Sequence, residues 1–272
     1  MTETPYFFEC AGRQLFGVLH EPGSAAPKAG AVVFCHPLAE EKLWTHRVFV
    51  SFARELAAHG HTVLRLDLPG NGDSDGDFSE SSVETAIAAI QCAVDELRGR
   101  TGAATAMLLG LRFGATIASL VAERRDDIDG LILWAPVVDG ERYMQELLRS
   151  NVATQTTVYK EVRHDRAELV DLMRQGGTVN VDGYEMSYSL YSEASAVKLA
   201  QLPKRHHGPC LVVSVDRQAG RIPPELQSLA ASYQRGVVVS AQEEPFWKEI
   251  ARFYDRAPAL FGVTTEWLRA RG

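Results

Sequence analysis

Short apolar segments alternate along the chain with longer segments whose apolar residues recur at helical spacing. The short segments are continuously apolar, which is typical of strands covered on both faces of a sheet. We predict such strands at 31–35, 62–66, 107–109, 128–134, 210–216 and 237–239. Helical spacing predicts helices at 49–56, 83–97, 224–234 and 257–269. The alternation predicts an α/β fold, with a mainly parallel sheet and helices on both of its faces.

Two regions depart from this alternation. Residues 6–10 and 14–20 are strand-like and are separated by Ala11-Gly12-Arg13, which predicts an N-terminal hairpin. Residues 139–204 are more polar and contain two helical patterns and a short extended piece at 178–181. We interpret them as an inserted cap. The chain then divides into a first core part at 1–138, the cap at 139–204 and a second core part at 205–272.

One buried strand ends in a sequence with the shape of a nucleophile elbow. The apolar run at 107–109 breaks at Gly110, turns, and resumes after Gly114 as a helix rich in small residues. A Gly-x-Ser-x-Gly elbow holds a strained serine at the top of the sheet in α/β-hydrolases. Here Arg112 occupies the central position, and its guanidinium stays protonated, so it cannot act as a nucleophile. The sequence predicts the frame of a hydrolase site without its attacking atom.

The order of motifs resembles the α/β-hydrolase superfamily over nearly the whole chain. It runs from the hairpin through a strand ending in His36-Pro37, a helix, the turn-rich loop 67–77 and the elbow. Four stretches are similar to motifs of the hydrolases associated with the exosortase A system, of the second type: 36–42, 73–78, 110–114 and 244–247. The resemblance implies an α/β-hydrolase fold and a hydrolase-like activity. That family is named for the gene loci in which its members occur, so its name implies no substrate.

The resemblance implies only part of the superfamily's catalytic machinery. The backbone N–H groups of Leu38 and Phe113 would form the oxyanion hole, which survives loss of the nucleophile. Asp216 directly follows an apolar strand, at the place of the triad acid. No histidine follows position 207, so the base of a Ser-His-Asp triad is missing. Glu243 and Glu244 stand there instead, and Glu244 is either a general base in a dry pocket or, like Glu243, a solvated loop charge.

Arg112 itself has two interpretations. At a helix N-terminus it can bind a carboxylate or phosphate through two parallel hydrogen bonds. Alternatively, it forms an internal ion pair, with Asp216 or Glu244 as the partner, and fills a pocket that has lost its activity. A charged network over the pocket can also join Arg112 to Glu40, Glu41 and Arg47.

Further candidates lie at the ends of strands. His36 follows the strand at 31–35, where it can polarise a substrate oxygen or act as a base, or else is held by loop hydrogen bonds. Trp134 ends its strand just before the predicted cap and is a substrate-binding candidate. We expect His206-His207, in a basic linker, to be exposed.

Composition narrows the classes of partner. The chain has 272 residues, is 46% hydrophobic and carries a formal net charge of −7, which disfavours a nucleic-acid interface. It has no export-signal pattern and no apolar run long enough to span a membrane, so we expect a cytoplasmic protein. The cysteines are far apart, and we expect buried free thiols rather than disulfides or a zinc site: Cys10, Cys35, Cys92 and Cys210.

One acidic loop matches the ligand spacing of a calcium site. The match begins at Asp73 and ends at Glu84, but Phe78 stands where the calcium loop requires glycine. The superfamily loop explains the same residues, so we predict no metal and no cofactor.

Two functional hypotheses of different class remain. The first is an enzyme that acts on a small acyl or carboxylate-bearing substrate without covalent serine catalysis. In it Arg112 anchors the anion, Leu38 and Phe113 hold an oxyanion, and His36 or Glu244 moves protons. The second is a non-catalytic descendant that binds a small ligand or a partner protein. Both are compatible with a homodimer.

Overall fold

The core of the molecule is a twisted sheet flanked by helices. The structure is a computed structural model that describes residues 1–24, 29–248 and 254–271. Its strands are β1 (Thr2–Cys10), β2 (Arg13–Glu21), β3 (Gly30–Cys35), β4 (His61–Leu66), β5 (Ala106–Leu111), β6 (Ile128–Trp134), β7 (Val179–Val181), β8 (Tyr184–Met186), β9 (Pro209–Asp216) and β10 (Arg235–Gln242). Within the described ranges, eight of them form one sheet in the order β1-β2-β4-β3-β5-β6-β9-β10.

Six neighbouring strands of this sheet run parallel. β1 and β2 form the expected antiparallel hairpin, β2 pairs antiparallel with β4, and the remaining pairs from β4 to β10 are parallel. The prediction of an α/β fold with a mainly parallel sheet is confirmed. Parallel strands end at the same edge, and that edge, where β3, β5, β6 and β9 finish, carries the candidate site.

Helices cover both faces of the sheet. They are α1 (Glu40–Ala58), α2 (Val83–Thr101), α3 (Phe113–Ala122), α4 (Gly140–Tyr159), α5 (Arg166–Arg174), α6 (Tyr188–Ala196), α7 (Pro224–Ser232) and α8 (Pro258–Arg269). Buried residues of α2, α3 and α7 form one apolar core with the sheet, and those of α1 and α8 form the other. No helix in the described ranges is long and apolar enough to cross a membrane.

Between β6 and β9 lies the stretch that we predicted to be an inserted cap. It contains α4, α5, the small hairpin β7–β8 and α6. Its two ends meet where the Asp139 carboxylate pairs with Lys198 Nζ at 2.7 Å. The sequence pattern missed β8 and α6 because short elements with few apolar residues have a weak periodic signal. The division at 139–204 stays a prediction.

Two of the four cysteines are joined, contrary to the expectation of free thiols. Cys10, at the end of β1, forms a disulfide with Cys92 on α2, and their Cα atoms are 5.8 Å apart. Cys35 and Cys210 are free and buried, as expected. The expectation was wrong for the first pair because the two residues are 82 positions apart, and only the packing of α2 against the hairpin brings them together.

Candidate functional site

The turn between β5 and α3 has the backbone of an elbow. Arg112 has a positive φ of 54° and a ψ of −124°, and its N–H donates to the carbonyl oxygen of Trp134 at 3.0 Å. Side chains do not fit on either flank: a Cβ on Gly114 would lie 2.2 Å from the carbonyl oxygen of Cys35, and one on Gly110 would lie 2.5 Å from the backbone of Ala115. The close approach of β3 therefore requires Gly114, and the tightness of the turn itself requires Gly110. The strained residue between them is an arginine.

A carboxylate from α1 holds the guanidinium. Arg112 Nε donates to Glu41 Oε1 at 3.1 Å, and the Tyr143 hydroxyl donates to Glu41 Oε2 at 2.9 Å. The Arg112 Cζ atom lies 5.4 Å from the centre of the Tyr143 ring and 5.1 Å from that of Trp247. We call these four residues the Arg112 cluster. It brings together the start of α1, the elbow, α4 and the loop after β10.

The side chains of the Arg112 cluster are largely buried, and burial together with their mutual contacts sets the protonation states of Arg112 and Tyr143. The side chains of Arg112 and Glu41 are 16% and 14% exposed. Burial lowers the pKa of Arg112, but the charge and hydrogen bond of Glu41, together with Tyr143 and Glu146, more than offset this, so the pKa is raised and the guanidinium stays protonated. Burial, with Glu41 adding to it, raises the pKa of Tyr143 well above its ordinary value, so the phenol stays a hydrogen-bond donor. At neutral pH the cluster therefore contains a permanent cation, Arg112, and a neutral hydrogen-bond donor, Tyr143.

A cavity of about 460 Å³ opens beside the guanidinium. Its apolar wall comes from the ends of β6 and β9 and from α7 and the Trp247 ring: Ala135, Pro136, Val137, Val215, Leu226 and Trp247. Glu41 accepts a hydrogen bond from Arg112 Nε, and no described residue accepts one from Arg112 Nη1 or Nη2. The volume suits a small organic molecule, and the paired Nη atoms suit a planar anion.

The acidic candidates do not pair with Arg112. Asp216 lines the cavity, but its carboxylate accepts from the Gln218 N–H at 2.9 Å and lies 3.3 Å from Arg221. Glu244 pairs with Arg217, and its side chain is 39% exposed. The interpretation of Asp216 or Glu244 as the ion-pair partner is therefore wrong, because the start of α1 brings Glu41 closer. Of the charged network that we predicted around Arg112, the structure contains the ion pair between Arg112 and Glu41.

Other charged candidates lie outside the Arg112 cluster. Arg47 pairs with Asp255 at 3.1 Å and is 72% exposed, so it is not part of the network. Glu40 is the first residue of α1. Glu243 is buried, accepts from the Ala259 N–H at 2.8 Å near the start of α8, and has a pKa raised by burial. It was a candidate for a solvated loop charge, and the structure gives it a helix-capping role instead.

Trp134 and His206 are buried away from the cavity. The Trp134 side chain is fully buried in the aromatic core, and its Nε1 donates to Thr264 Oγ1 at 3.0 Å. Its backbone supports the elbow, but its side chain does not reach a ligand beside Arg112. His206 is 5% exposed, whereas we expected it to face solvent. Its ring lies near that of Tyr233, a contact that the polar linker sequence does not reveal.

His36 and the two oxyanion candidates share a second, much smaller space. His36, Leu38 and Phe113 line a cavity of about 20 Å³, room for roughly one water molecule. The His36 ring stacks on Phe49 at 4.5 Å, and its Nδ1 has no hydrogen-bond partner among the described residues. Burial lowers the pKa of His36 well below its usual value, so the imidazole is neutral at pH 7. The oxyanion role of Leu38 and Phe113 stays a prediction.

The acidic loop after β4 is tied to the protein itself. Asp67 pairs with Lys42 at 2.6 Å and accepts from the Asp73 N–H at 3.1 Å, while Asp75 Oδ2 accepts from the Gln14 N–H at 2.8 Å. The loop is thereby fixed to α1 and to the hairpin. In the part of the chain that the structure describes, no group of three or more His, Cys, Asp or Glu side chains is placed to hold a metal.

Sequence reasoning missed Tyr143 and, as a site residue, Trp247. Trp247 belongs to one of the four stretches that resemble the exosortase-associated hydrolases, which is a usable signal. Tyr143 sits on the buried side of α4, where its aromatic ring has an ordinary core interpretation. Its role depends on Glu41 and Arg112, which are far from it in sequence.

The fold and the elbow together define an α/β-hydrolase. The mainly parallel sheet, the helices on both faces and the strand–turn–helix at the end of β5 are the parts of that architecture. More narrowly, residues 26–186 match the family model for "Serine aminopeptidase, S33", and the chain belongs to this family.

The chain is similar in sequence to another protein over part of its length and similar in fold to solved structures. The "Uncharacterized protein RP471" of Rickettsia prowazekii (strain Madrid E) is 32% identical over 109 residues, which cover 40% of this chain and 44% of that protein. The chain thus spans less than half of that relative. Est1E from Butyrivibrio proteoclasticus, solved with ferulic acid, superposes with a TM-score of 0.67 at 17% identity, covering 98% of this chain and 97% of that one. The esterase domain of a Rhodothermus marinus protein has a TM-score of 0.64 at 17% identity, with 99% of each chain covered. These structures share the fold.

Proposed function

We propose that this protein acts on a small acyl or carboxylate-bearing molecule without a serine nucleophile, and that Arg112 anchors the anion. The observation that carries the proposal is the state of the guanidinium. Its Nε is occupied by Glu41, and the cavity of about 460 Å³ opens beside it. A carboxylate that accepts from Nη1 and Nη2 would make the paired, charge-assisted contact that arginine favours.

The other proposed roles have unequal support. Asp216 lines the same cavity as Arg112 and Glu244 does not, so Asp216 is the better placed of the two predicted acidic residues. His36 is neutral, which suits a hydrogen-bonding role more than that of a cation. The pairing of Glu244 with Arg217 weakens its case as a general base. Leu38 and Phe113 would supply backbone donors for an oxyanion from the far side of the elbow.

Membership of the exosortase-associated type is also part of the proposal. Three of the four stretches that resemble this type contribute a residue to the Arg112 cluster: Glu41, Arg112 and Trp247. Motifs that are distant in sequence thus meet at one side chain, as expected if they were retained for a common site. The cytoplasmic location and the homodimer stay predictions from the sequence.

A second candidate function is a non-catalytic binding protein. The observation that favours it is the neutralisation of Arg112 by Glu41, with Tyr143 completing the carboxylate's hydrogen bonds. A guanidinium already paired in the protein has less to gain from a second anion. In this alternative the cavity binds a ligand or partner, and no bond is broken.

Matched ligands test the proposal. Calorimetric titration with 4-phenylbutyrate and with the neutral 4-phenylbutanol compares two molecules that differ in the anion. We expect the acid to bind and Arg112→Gln to weaken it by about 10-fold or more, since hydrogen bonds to charged groups contribute about 1.5–3 kcal/mol. Arg47→Gln makes the same change at an exposed arginine outside the cavity, so it is the control and should bind like the wild type. No preference for the acid, or equal binding by Arg112→Gln, would refute the anchor.

Turnover separates the two candidate functions. A panel of acyl esters and thioesters, followed by product analysis, should give turnover that is lost in Arg112→Gln if the protein is an enzyme. Acid binding without turnover by the wild type favours the binding protein.

A further inference from the structure

The two oxygens of the Glu41 carboxylate have different partners. Oε1 accepts from Arg112 Nε at 3.1 Å, and Oε2 accepts from the Tyr143 hydroxyl at 2.9 Å. A carboxylate beside a guanidinium frequently places both oxygens on it, through two parallel hydrogen bonds. Here Glu41 makes a single hydrogen bond to Arg112, and neither Nη atom donates to any residue that the structure describes. Tyr143 thus occupies the oxygen that a paired contact with Arg112 would use.

The Tyr143 hydroxyl is a donor held in one place. Tyr143 is 3% exposed, and its ring stacks on that of Phe113, with the ring centres 5.6 Å apart and the planes 11° apart. Burial raises the pKa of Tyr143 well above its ordinary value, so the phenol keeps its proton at neutral pH. The proton is donated to Glu41, and a phenol has only one. Tyr143 lines the Arg112 cavity, but it has no second proton to donate to a ligand there.

The backbone that carries Tyr143 is also anchored. Tyr143 lies in the first turn of α4, where its N–H donates to the carbonyl oxygen of Asp139 at 3.2 Å. Gly140 in the same turn donates to the carbonyl oxygen of Val197 at 2.9 Å. A Cβ on Gly140 would lie 1.8 Å from the carbonyl oxygen of Ala194, so α4 packs closely on α6. The helix contacts and the stacked ring fix Tyr143 independently of Glu41, so the tyrosine orients the carboxylate.

We infer that Tyr143 is a positioning residue for the anion site: its hydroxyl holds Glu41 Oε2 and so leaves Nη1 and Nη2 of Arg112 free for the carboxylate of a ligand. This role rests on the function proposed for the Arg112 cavity. Without the hydroxyl, Oε2 would be a largely buried charged acceptor without a donor, which is costly. Glu41 would then turn to pair its second oxygen with Nη2, and the ligand would lose that donor.

Titration of the full-length protein with 4-phenylbutyrate, in a double-mutant cycle, tests this role. Tyr143→Phe keeps the ring and removes the hydroxyl. It should weaken binding of the acid by about 10-fold, because the ligand loses one charge-assisted hydrogen bond. Glu41→Gln removes the competing carboxylate, while its amide oxygen can still accept from Arg112 Nε. In that background Tyr143→Phe should change the affinity by less than about 2-fold.

A matched control makes the same change elsewhere in the protein. The Tyr191 hydroxyl accepts from Gln145 Nε2 at 2.9 Å, and neither residue lines the Arg112 cavity. Tyr191→Phe should therefore bind 4-phenylbutyrate like the wild type.

A crystal structure of Tyr143→Phe tests the positioning without a ligand. We expect both oxygens of Glu41 to lie within hydrogen-bond distance of Arg112, one at Nε and one at Nη2. A structure in which Glu41 keeps its single hydrogen bond to Nε would refute the role, whatever the titrations show.

Two titration results would also overturn the inference. One is unchanged binding of the acid by Tyr143→Phe. The other is an equal loss in the wild-type and Glu41→Gln backgrounds, because the hydroxyl would then act on the ligand directly or through the fold. In both cases the wild type still prefers 4-phenylbutyrate to 4-phenylbutanol. Failure of the proposed function is distinguishable, since that preference is then absent, and the role of Tyr143 falls with it.

Discussion

Removal of the Glu41 carboxylate should destabilise the protein through the charge that it leaves behind. Glu41→Ala deprives Arg112 Nε and the Tyr143 hydroxyl of their shared acceptor. Exposed ion pairs contribute about 0–1 kcal/mol, whereas breaking a fully buried pair costs about 3–5 kcal/mol. The two side chains are 16% and 14% exposed, and the guanidinium borders a cavity of about 460 Å³ instead of packed protein. We therefore expect a loss of about 2–3 kcal/mol in the free energy of unfolding.

Urea unfolding followed by circular dichroism measures this loss, and a double-mutant cycle isolates its cause. Removing Arg112 as well should recover part of the stability, with a coupling of about 1–2 kcal/mol between the two sites. Asp255→Ala is the control because it breaks an exposed pair with Arg47 on the same helix, and it should cost less than about 1 kcal/mol. If Glu41→Ala is as mild as Asp255→Ala, or if the two cluster substitutions are additive, the cluster is not a buried charge unit and the reasoning fails.

Further predictions concern pH, the elbow and its missing base. Burial lowers the pKa values of His20 and His61 to about 4, below the value of ~6.5 of an unfolded histidine, so the unfolded chain binds more protons between these values. The free energy of unfolding should be highest above pH 6.5 and fall as the pH drops toward 4, by up to about 3 kcal/mol per histidine. A urea midpoint that stays constant over that pH range would contradict this. Gly114→Ala should cost more than about 3 kcal/mol or prevent folding, because its Cβ would meet the backbone of β3. Gly99→Ala, with open space around it on α2, should instead gain about 0.5–1 kcal/mol, and urea unfolding measures both glycine variants. Arg112→Ser should hydrolyse p-nitrophenyl acetate no faster than the wild type, since no histidine follows the last strand to deprotonate the serine, and clear turnover would count against the assignment of the elbow.

Local sequence signals predicted the sheet and the elbow well. Continuous apolar runs identify strands that are covered on both faces, and they gave β3, β4, β6 and β9 to within one residue. Gly110 and Gly114 marked the elbow because their requirement is local: a Cβ there would collide with the turn itself or with the neighbouring strand. The position of Arg112 followed directly from these two glycines.

Contacts between distant segments were beyond the sequence. The partner of Arg112 is Glu41, 71 positions away, and the choice between it and Asp216 depends on how α1 packs against the sheet. The disulfide of Cys10 with Cys92 depends on packing in the same way. In both cases the pairing depends on which described side chains are buried against each other. The charges and spacings of residues in a single sequence do not show which side chains are buried together.

Glu243 and Glu244 show the same limit at neighbouring positions. Both are carboxylates in the loop after β10, yet Glu243 turns inward to meet the start of α8 and Glu244 turns outward to Arg217. A one-residue change of direction decides which is buried, and a loop has no periodicity from which to predict it.

The most direct test of the central claim is the reaction of the protein with a fluorophosphonate, which labels activated serines. The claim is that a permanent cation occupies the nucleophile position and that no triad supports a serine elsewhere in the site. Intact-mass spectrometry after incubation, with a serine esterase labelled in parallel, should show the unmodified mass for this protein. A stoichiometric adduct would contradict the account.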